Sequence, residues 1–468
     1  MPQLDPYRIF SSEVQTRKIA AELYDTVKSL PIVSPHGHTD PRWFAENEAF
    51  ANPAQLFVTP DHYVFRMLHS QGVALESLGV PLADGSPTEQ DGRKIWQLFA
   101  DNYYLLRGTP SRMWLDHAFA EVFGIKEEFT PATAKLFYDR IDDCLKQDEF
   151  KPRALFERFN IELIATTESP LDDLRWHKMI KDSGWSGRVV TAYRPDAVVD
   201  PEHRGFLANV KQFGEITGED TNTWQGYLAA HINRRAFFKA HGATSSDHGH
   251  PTPRTENLSP EQAEALFLRV IAGDATAEES DAFRGQMLTE MARMSVQDGL
   301  VLQIHPGSSR NHNAQVFDQF GADKGFDIPK PCEYVQNLKP LLNAFGSHPE
   351  LTIIVFTLDE STQSRELAPL AGVYPALRLG PPWWFFDSVE GMRRFRQNAT
   401  ETAGFYNTVG FNDDTRAFCS IPARHDVARR VDSTYLAELV TTGRLSKHEA
   451  HEVIVDLSYK LVKDAYRL

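Results

Sequence analysis

Two histidines separated by one glycine close a short apolar run near the start of the chain, "PIVSPHGHTDPRWF", residues 31–44. Side chains alternate across a strand, so positions two apart share a face. His36 and His38 can therefore point the same way and share one cation, with Gly37 leaving room for the approach. With 17 histidines in 468 residues, composition alone nearly supplies one such pair. More ligands are needed, and carboxylate oxygen suits Zn2+ or Mn2+ beside imidazole. Asp414, near the end of "NTVGFNDDTR" (407–416), can complete the set. Arg416 stands two residues further on and brings a guanidinium beside the ion. His305, in "GLVLQIHPG" (299–307), supplies another imidazole. A second pair, His248-Gly249-His250, follows "ATSSD", precedes "PTP", and reads as loop.

These residues need elements that bring them together. Besides 407–416 and the run that opens the chain, "IVSPHGH", apolar runs occur at 161–168, 188–196, 241–249, 299–307, 351–359 and 376–384. Longer amphipathic stretches separate them. Strands alternating with helices imply parallel β-structure with crossover helices. Eight such runs predict an α/β fold, a TIM-type (β/α)8 barrel, in which chemistry gathers at the C-terminal ends of the strands. The runs do end in reactive types: His36 and His38, Arg194, Asp247, His305, Trp383 and Trp384, Asp414. A doubly wound sheet is the structural rival, but no Gly-x-Gly-x-x-Gly turn follows the first run. Residues 41–155 break the alternation with aromatic-rich helical stretches, which predicts a helical insertion after the first strand. Three parts follow: 1–40, an N-terminal helix and first strand; 41–155, the insertion; 156–468, the rest of the barrel and C-terminal helices. Ser11 or Ser12 is the expected cap of the first helix.

Charge and composition narrow the partners. Net charge is −15, from 49 basic and 64 acidic residues. Nucleic acid and anionic membrane are poor partners for such a chain. An anionic substrate would need local positive charge from an Arg, a metal, or both. The three cysteines, Cys144, Cys332 and Cys419, lack Cys-x-x-Cys spacing, which fits a reducing compartment. No signal-like segment opens the chain and no apolar run of about 18 residues occurs. The expected location is the cytoplasm.

Seven stretches, in order, carry a resemblance: "PHGHTDPRWF", "DHYVFRML" (61–68), "YRPD" (193–196), "SDHG" (246–249), "GPPWWFFDSVEGMRRF" (380–395), "GFNDDTRAF" (410–418) and "RHDVARR" (424–430). Together they resemble the uronate, or glucuronate, isomerases of the amidohydrolase superfamily, essentially end to end. The resemblance implies a distorted (β/α)8 barrel with a helical insertion and one divalent metal, usually zinc; His36, His38, His305 and Asp414 are the expected ligands, with His305 also open as a nearby proton-handling group. It implies aldose–ketose isomerisation of D-glucuronate to D-fructuronate and of D-galacturonate to D-tagaturonate. By the same resemblance Tyr63 is a proton-transfer candidate, with metal-bound water as the rival carrier. A free phenol titrates near pH 10, so Tyr63 needs a neighbouring cation, for which Arg416 is the candidate. Tyr63, Arg416 and Asp414 form the expected catalytic set.

Arg194 suits bidentate pairing with the substrate carboxylate, although Arg194-Pro195-Asp196 also reads as a turn with a local ion pair. His62 and one of Trp383 or Trp384 would line the same end. Asp247 and His248 are expected to bind hydroxyls or to stand behind residues that do. "HPGSSRNHN" (305–313) assigns no role to Arg310 or His312. Hydrolytic superfamily members with two metals use a Lys on the fourth strand and a His on the sixth. Neither residue occurs in the fourth and sixth runs here. The alternatives are a mononuclear-metal amidohydrolase acting on a small anionic substrate, or a non-catalytic sugar-acid binder. A homo-oligomer is also open, through the aromatic-rich insertion.

Overall fold

A computed structural model describes residues 4–468. Its main sheet holds β1 (Ile32–Ser34), β2 (Ile161–Glu168), β3 (Arg188–Tyr193), β4 (Ser245–His248), β5 (Val301–Ile304), β6 (Ile353–Val355) and β7 (Leu377–Leu379). All are parallel and pair in chain order. β4, β5 and β6 are buried throughout, as parallel strands covered on both faces must be.

The eighth run departs from expectation. Residues 407–416 form no strand, and Thr408 alone bridges Leu379 in parallel. Gly410 and Asp414 adopt left-handed backbone, φ +79° and +39°, which an extended strand cannot contain. The segment still closes the circle. Val409 N–H donates to the Leu379 carbonyl at 3.1 Å on one side, and His38 N–H donates to the Thr415 carbonyl at 3.1 Å on the other. The result is a distorted α/β barrel of seven strands and one irregular wall.

Val33, Val301, Ile354, Phe356 and Val409 fill the interior together with Val462 and Tyr466 from the C-terminal helix Leu461–Tyr466. Tyr466 ties this core to polar neighbours. Its hydroxyl accepts from Asn412 Nδ2 at 2.6 Å and donates to Gln303 Oε1 at 2.9 Å. Gln303 Nε2 in turn donates to Ser245 Oγ at 3.1 Å. These buried hydrogen bonds tie the C-terminal helix to β4 and β5.

Between β1 and β2 the described residues are helical or irregular, with no strand. Trp96, Phe99, Tyr103, Phe119, Phe129 and Phe137 interlock there, with Tyr103 and Phe137 ring centroids 4.7 and 4.8 Å from Phe129. Each such pair adds about 0.5–1.5 kcal/mol beyond area burial. Helix His62–His69 belongs to this segment. The Asp61 side chain caps it by accepting from Tyr63 N–H at 2.9 Å.

Helix Val14–Val27 is capped by Glu13, rather than by Ser11 or Ser12, because the Glu13 carboxylate reaches both Gln15 N–H and Thr16 N–H. Between β4 and β5 run two helices, Pro260–Ala272 and Ala277–Asp298, separated at Gly273 with φ +77°. Among the described residues no helix is long and apolar enough to cross a membrane.

Candidate metal centre and active site

His36 and His38 follow β1, and both present Nε2 to one carboxylate oxygen. Asp414 Oδ1 lies 3.6 Å from His36 Nε2 and 3.2 Å from His38 Nε2. Ligand bonds of about 2.0–2.2 Å around one ion leave neighbouring donors at such separations. Burial alone would raise the Asp414 carboxyl, but His36 and His38 outweigh it and hold it well below the usual range. Burial lowers His38 against the opposing pull of Asp414, so its imidazole is neutral and ready to ligate. This donor set fits a divalent cation. Gly37 is not what makes room: a methyl there would meet nothing nearer than the Thr415 carbonyl at 3.4 Å.

His305 stands beside the trio. Its ring stacks on His36 with centroids 4.7 Å apart. Its Nδ1 lies 2.6 Å from Asp247 Oδ1, and its buried Nε2 has no protein partner. An anionic Asp247 fixes the tautomer, with the proton on Nδ1 and the lone pair on Nε2. His305 groups with His36 and Asp247 rather than with His38 and Asp414, so the four expected ligands divide into three and one. Burial would raise the Asp247 carboxyl, yet His305 and Arg194 together hold it well below the usual range.

Arg194, at the end of β3, is already committed on two sides. Nε donates to Asp196 Oδ2 at 2.9 Å, and Nη1 lies 3.1 Å from Asp247 Oδ2. Both the local ion pair and the cavity-facing position therefore hold. Nη2 passes over Gly249, where an added Cβ would sit 2.2 Å from it and 3.1 Å from Arg310 Nη2. A methyl at 249 would push the Arg194 guanidinium and the Asp196 carboxylate aside, and two guanidinium groups converge above it.

Tyr63 meets a different partner from the one expected. Its hydroxyl donates to Asp387 Oδ2 at 2.6 Å, and Arg424 Nη1 donates to the same oxygen at 2.7 Å. The Arg424 guanidinium also lies 5.1 Å from the Tyr63 ring centroid and 3.5 Å from that of Trp114. Burial first, then the Asp387 charge, push the Tyr63 phenol well above its usual value, with Arg424 opposing. The supporting cation is thus Arg424, acting through Asp387. Arg416 lines the cavity without a hydrogen bond to Tyr63. Spacing linked neither Asp387 nor Arg424 to Tyr63, since they lie 37 residues apart and far from it, although both stand in stretches that carry the family resemblance. Trp384 packs edge-on against His62 and Tyr63, and Trp383 against His305.

One cavity of about 460 Å³ collects His36, His38, His305, Asp414, Arg416 and Arg194, and extends over His62, Tyr63, Trp383 and Trp384. Neither Asp247 nor His248, both fully buried, lines it. As the residue after Asp247 on β4, His248 points to the opposite face of the sheet. His250, which reads as loop, does line the cavity, as does Arg310.

Comparison with known proteins agrees with the geometry. The glucuronate isomerase family model matches residues 10–466. A uronate isomerase of Mesorhizobium japonicum is 65% identical over 464 residues, covering 99% of each chain. One of Rhizobium meliloti is 62% identical, again with 99% of each covered. The crystal structure of glucuronate isomerase from Caulobacter crescentus superposes with a TM-score of 0.98 at 57% identity, covering 99% of this chain and 97% of that one. That of a uronate isomerase from Thermotoga maritima gives 0.92 at 27% identity, covering all of both chains. With its model matched over nearly the whole length, the chain belongs to the glucuronate isomerase family.

Proposed function

We propose that the cavity isomerises open-chain hexuronates, D-glucuronate and D-galacturonate, by moving a proton between C2 and C1 through an enediol. The observation that carries this is the trio His36, His38 and Asp414, closed to 3.2–3.6 Å in the cavity that Arg194 also lines. His36, His38 and Asp414 would hold one divalent ion, with zinc the best match to two imidazoles and a carboxylate. When bound, such an ion stabilises negative charge developing on the substrate's carbonyl and hydroxyl oxygens.

The chain's own residues supply the rest. Arg194 and Arg310 face the substrate carboxylate. Trp383 and Trp384 exclude water from the reacting carbons. His305, oriented by Asp247, offers Nε2 as a nitrogen beside the trio. Tyr63 stays neutral at ordinary pH, since its phenol is pushed well up. It can take a substrate proton on its oxygen only as its own proton shifts to Asp387, and the reverse shift returns a proton to the neighbouring carbon. Arg424 donates to the same Asp387 oxygen and holds the carboxylate in place beside Tyr63. Proton transfer of this kind contributes roughly 10²–10⁴ in rate.

Metal-loaded protein incubated with each uronate and followed for 2-keto acid formation tests the proposal. Ketose should appear with at least one of the two. Absence of turnover of either uronate by protein shown to carry metal would overturn it.

A further inference from the structure

The second His-Gly-His pair repeats the geometry of the first. The His36 and His38 rings have centroids 5.4 Å apart at 82°. The His248 and His250 rings have centroids 5.6 Å apart at 84°. Each pair sits where a strand ends, β1 for the first and β4 for the second. Each has a carboxylate beside it. For the first it is Asp414; for the second it is Asp196, whose Oδ1 lies 4.0 Å from His250 Nε2. One donor atom from each of Asp196, His248 and His250 falls within 4.8 Å of the other two.

Their nitrogens lack partners. His248 is 0% exposed and His250 is 2% exposed. Neither ring nitrogen of His250 has a hydrogen-bond partner, and nor does Nδ1 of His248. Leaving buried polar atoms unpaired is unfavourable, and a shared cation would take up one nitrogen of each ring. Asp196 can still serve. Its Oδ2 takes the Arg194 bond at 2.9 Å, whereas Oδ1 accepts only Gly249 N–H at 3.2 Å. The positive Arg194 is offset by Asp196 and Asp247, both paired with it. Asp196, Gly249 and His250 border the large cavity, which gives an ion and its waters a route in.

We propose that Asp196, His248 and His250 form a second divalent-cation site, for zinc or another ion that accepts imidazole nitrogen, distinct from the His36–His38–Asp414 centre. It stands on its own geometry and does not depend on the isomerase assignment. Because Arg194 already draws on Asp196, this site binds more weakly than the first.

Metal counting decides the matter. The full chain is stripped with chelator, dialysed against a series of fixed free Zn2+ concentrations, and its zinc measured by elemental analysis. The expected saturation is about two ions per chain in the wild type and about one in His250→Asn or His250→Gln. A His38→Asn/Asp414→Asn double variant should also keep about one ion, at the weaker affinity. Thermal melting confirms that each variant is folded. As a check free of substitutions, Co2+ titration of wild-type protein should raise visible absorption through two equivalents. Saturation of the wild type at one ion, or retention of two by folded His250 variants, overturns the proposal.

Discussion

The Tyr63 hydroxyl lies 2.6 Å from Oδ2 of Asp387, a residue 324 positions away, and donates its proton to it. Arg424 holds the same oxygen at 2.7 Å, and both partners are buried. The phenolic lone pairs are therefore the part of Tyr63 left for a substrate. Asp387 thus becomes a positioning residue that sets what Tyr63 can do.

Asp387→Asn removes the charge that accepts the Tyr63 proton. Turnover should fall by about 10²-fold or more while metal content stays at the wild-type level. Asp387→Glu should recover part of the loss. Turnover within twofold of wild type in the Asn variant would show that the relay is not used.

His36→Ala and Asp414→Asn each remove one donor from the trio. Both should lose metal after dialysis against chelator, and turnover should drop by at least about 10²-fold. Elemental analysis and uronate kinetics on the same samples check this. Full rate in chelated buffer would move the metal centre elsewhere.

Arg194→Lys keeps a positive charge but loses the planar fork. A charge-assisted hydrogen bond is worth about 1.5–3 kcal/mol, so kcat/KM for uronates should fall roughly 10- to 10²-fold, chiefly through KM. Metal at the trio should be unaffected. Unchanged kinetics would count against a carboxylate role.

Gly249→Ala places a methyl 2.2 Å from Arg194 Nη2. The guanidinium must move, and displacements near 1 Å can cost about 10²-fold in rate. Gly37→Ala, whose methyl meets nothing closer than 3.4 Å, should fold and bind metal much as wild type does. Parallel kinetics on the two alanine variants test which glycine the site is more sensitive to; equal losses would contradict the difference in space around them.

Glu168, at the end of β2, accepts a hydrogen bond from Thr191 and lies 3.8 Å from His177. Burial pushes its carboxyl from about 4.5 up to about 8. The folded chain thus keeps a proton that the unfolded chain releases between those values. The associated stability is complete below about pH 4.5 and is lost as pH rises through about 8. Glu168→Gln, neutral at every pH, should melt a few degrees above wild type near pH 9, with the gap closing toward pH 5. A gap that does not change with pH would contradict this.

The His-Gly-His spacing, Asp414 at the last run and the strand–helix alternation were all legible in the sequence. Each depends on local periodicity, and the barrel rule converts strand ends into one site. The division between Asp247 and His248 was legible in principle too, since alternation sends adjacent strand residues to opposite faces. Other features were not. Asp387 and Arg424 reach Tyr63 only because the insertion helix His62–His69 packs beside the segments that follow β7 and the irregular eighth wall. No spacing in the chain encodes that approach.

The sequence by itself determined the kind of fold and which residue types stand at the strand ends, because hydrophobic period and strand alternation act over a few residues; the family resemblance came instead from the seven ordered stretches. Only the tertiary structure decided which charges meet. It turned Tyr63 to Asp387 instead of Arg416, drew Arg194 between Asp196 and Asp247, and made 249 rather than 37 the glycine where a methyl would push side chains aside. Hydrogen bonds and ion pairs depend on ångström distances between segments hundreds of residues apart, and those distances exist only once the barrel has closed.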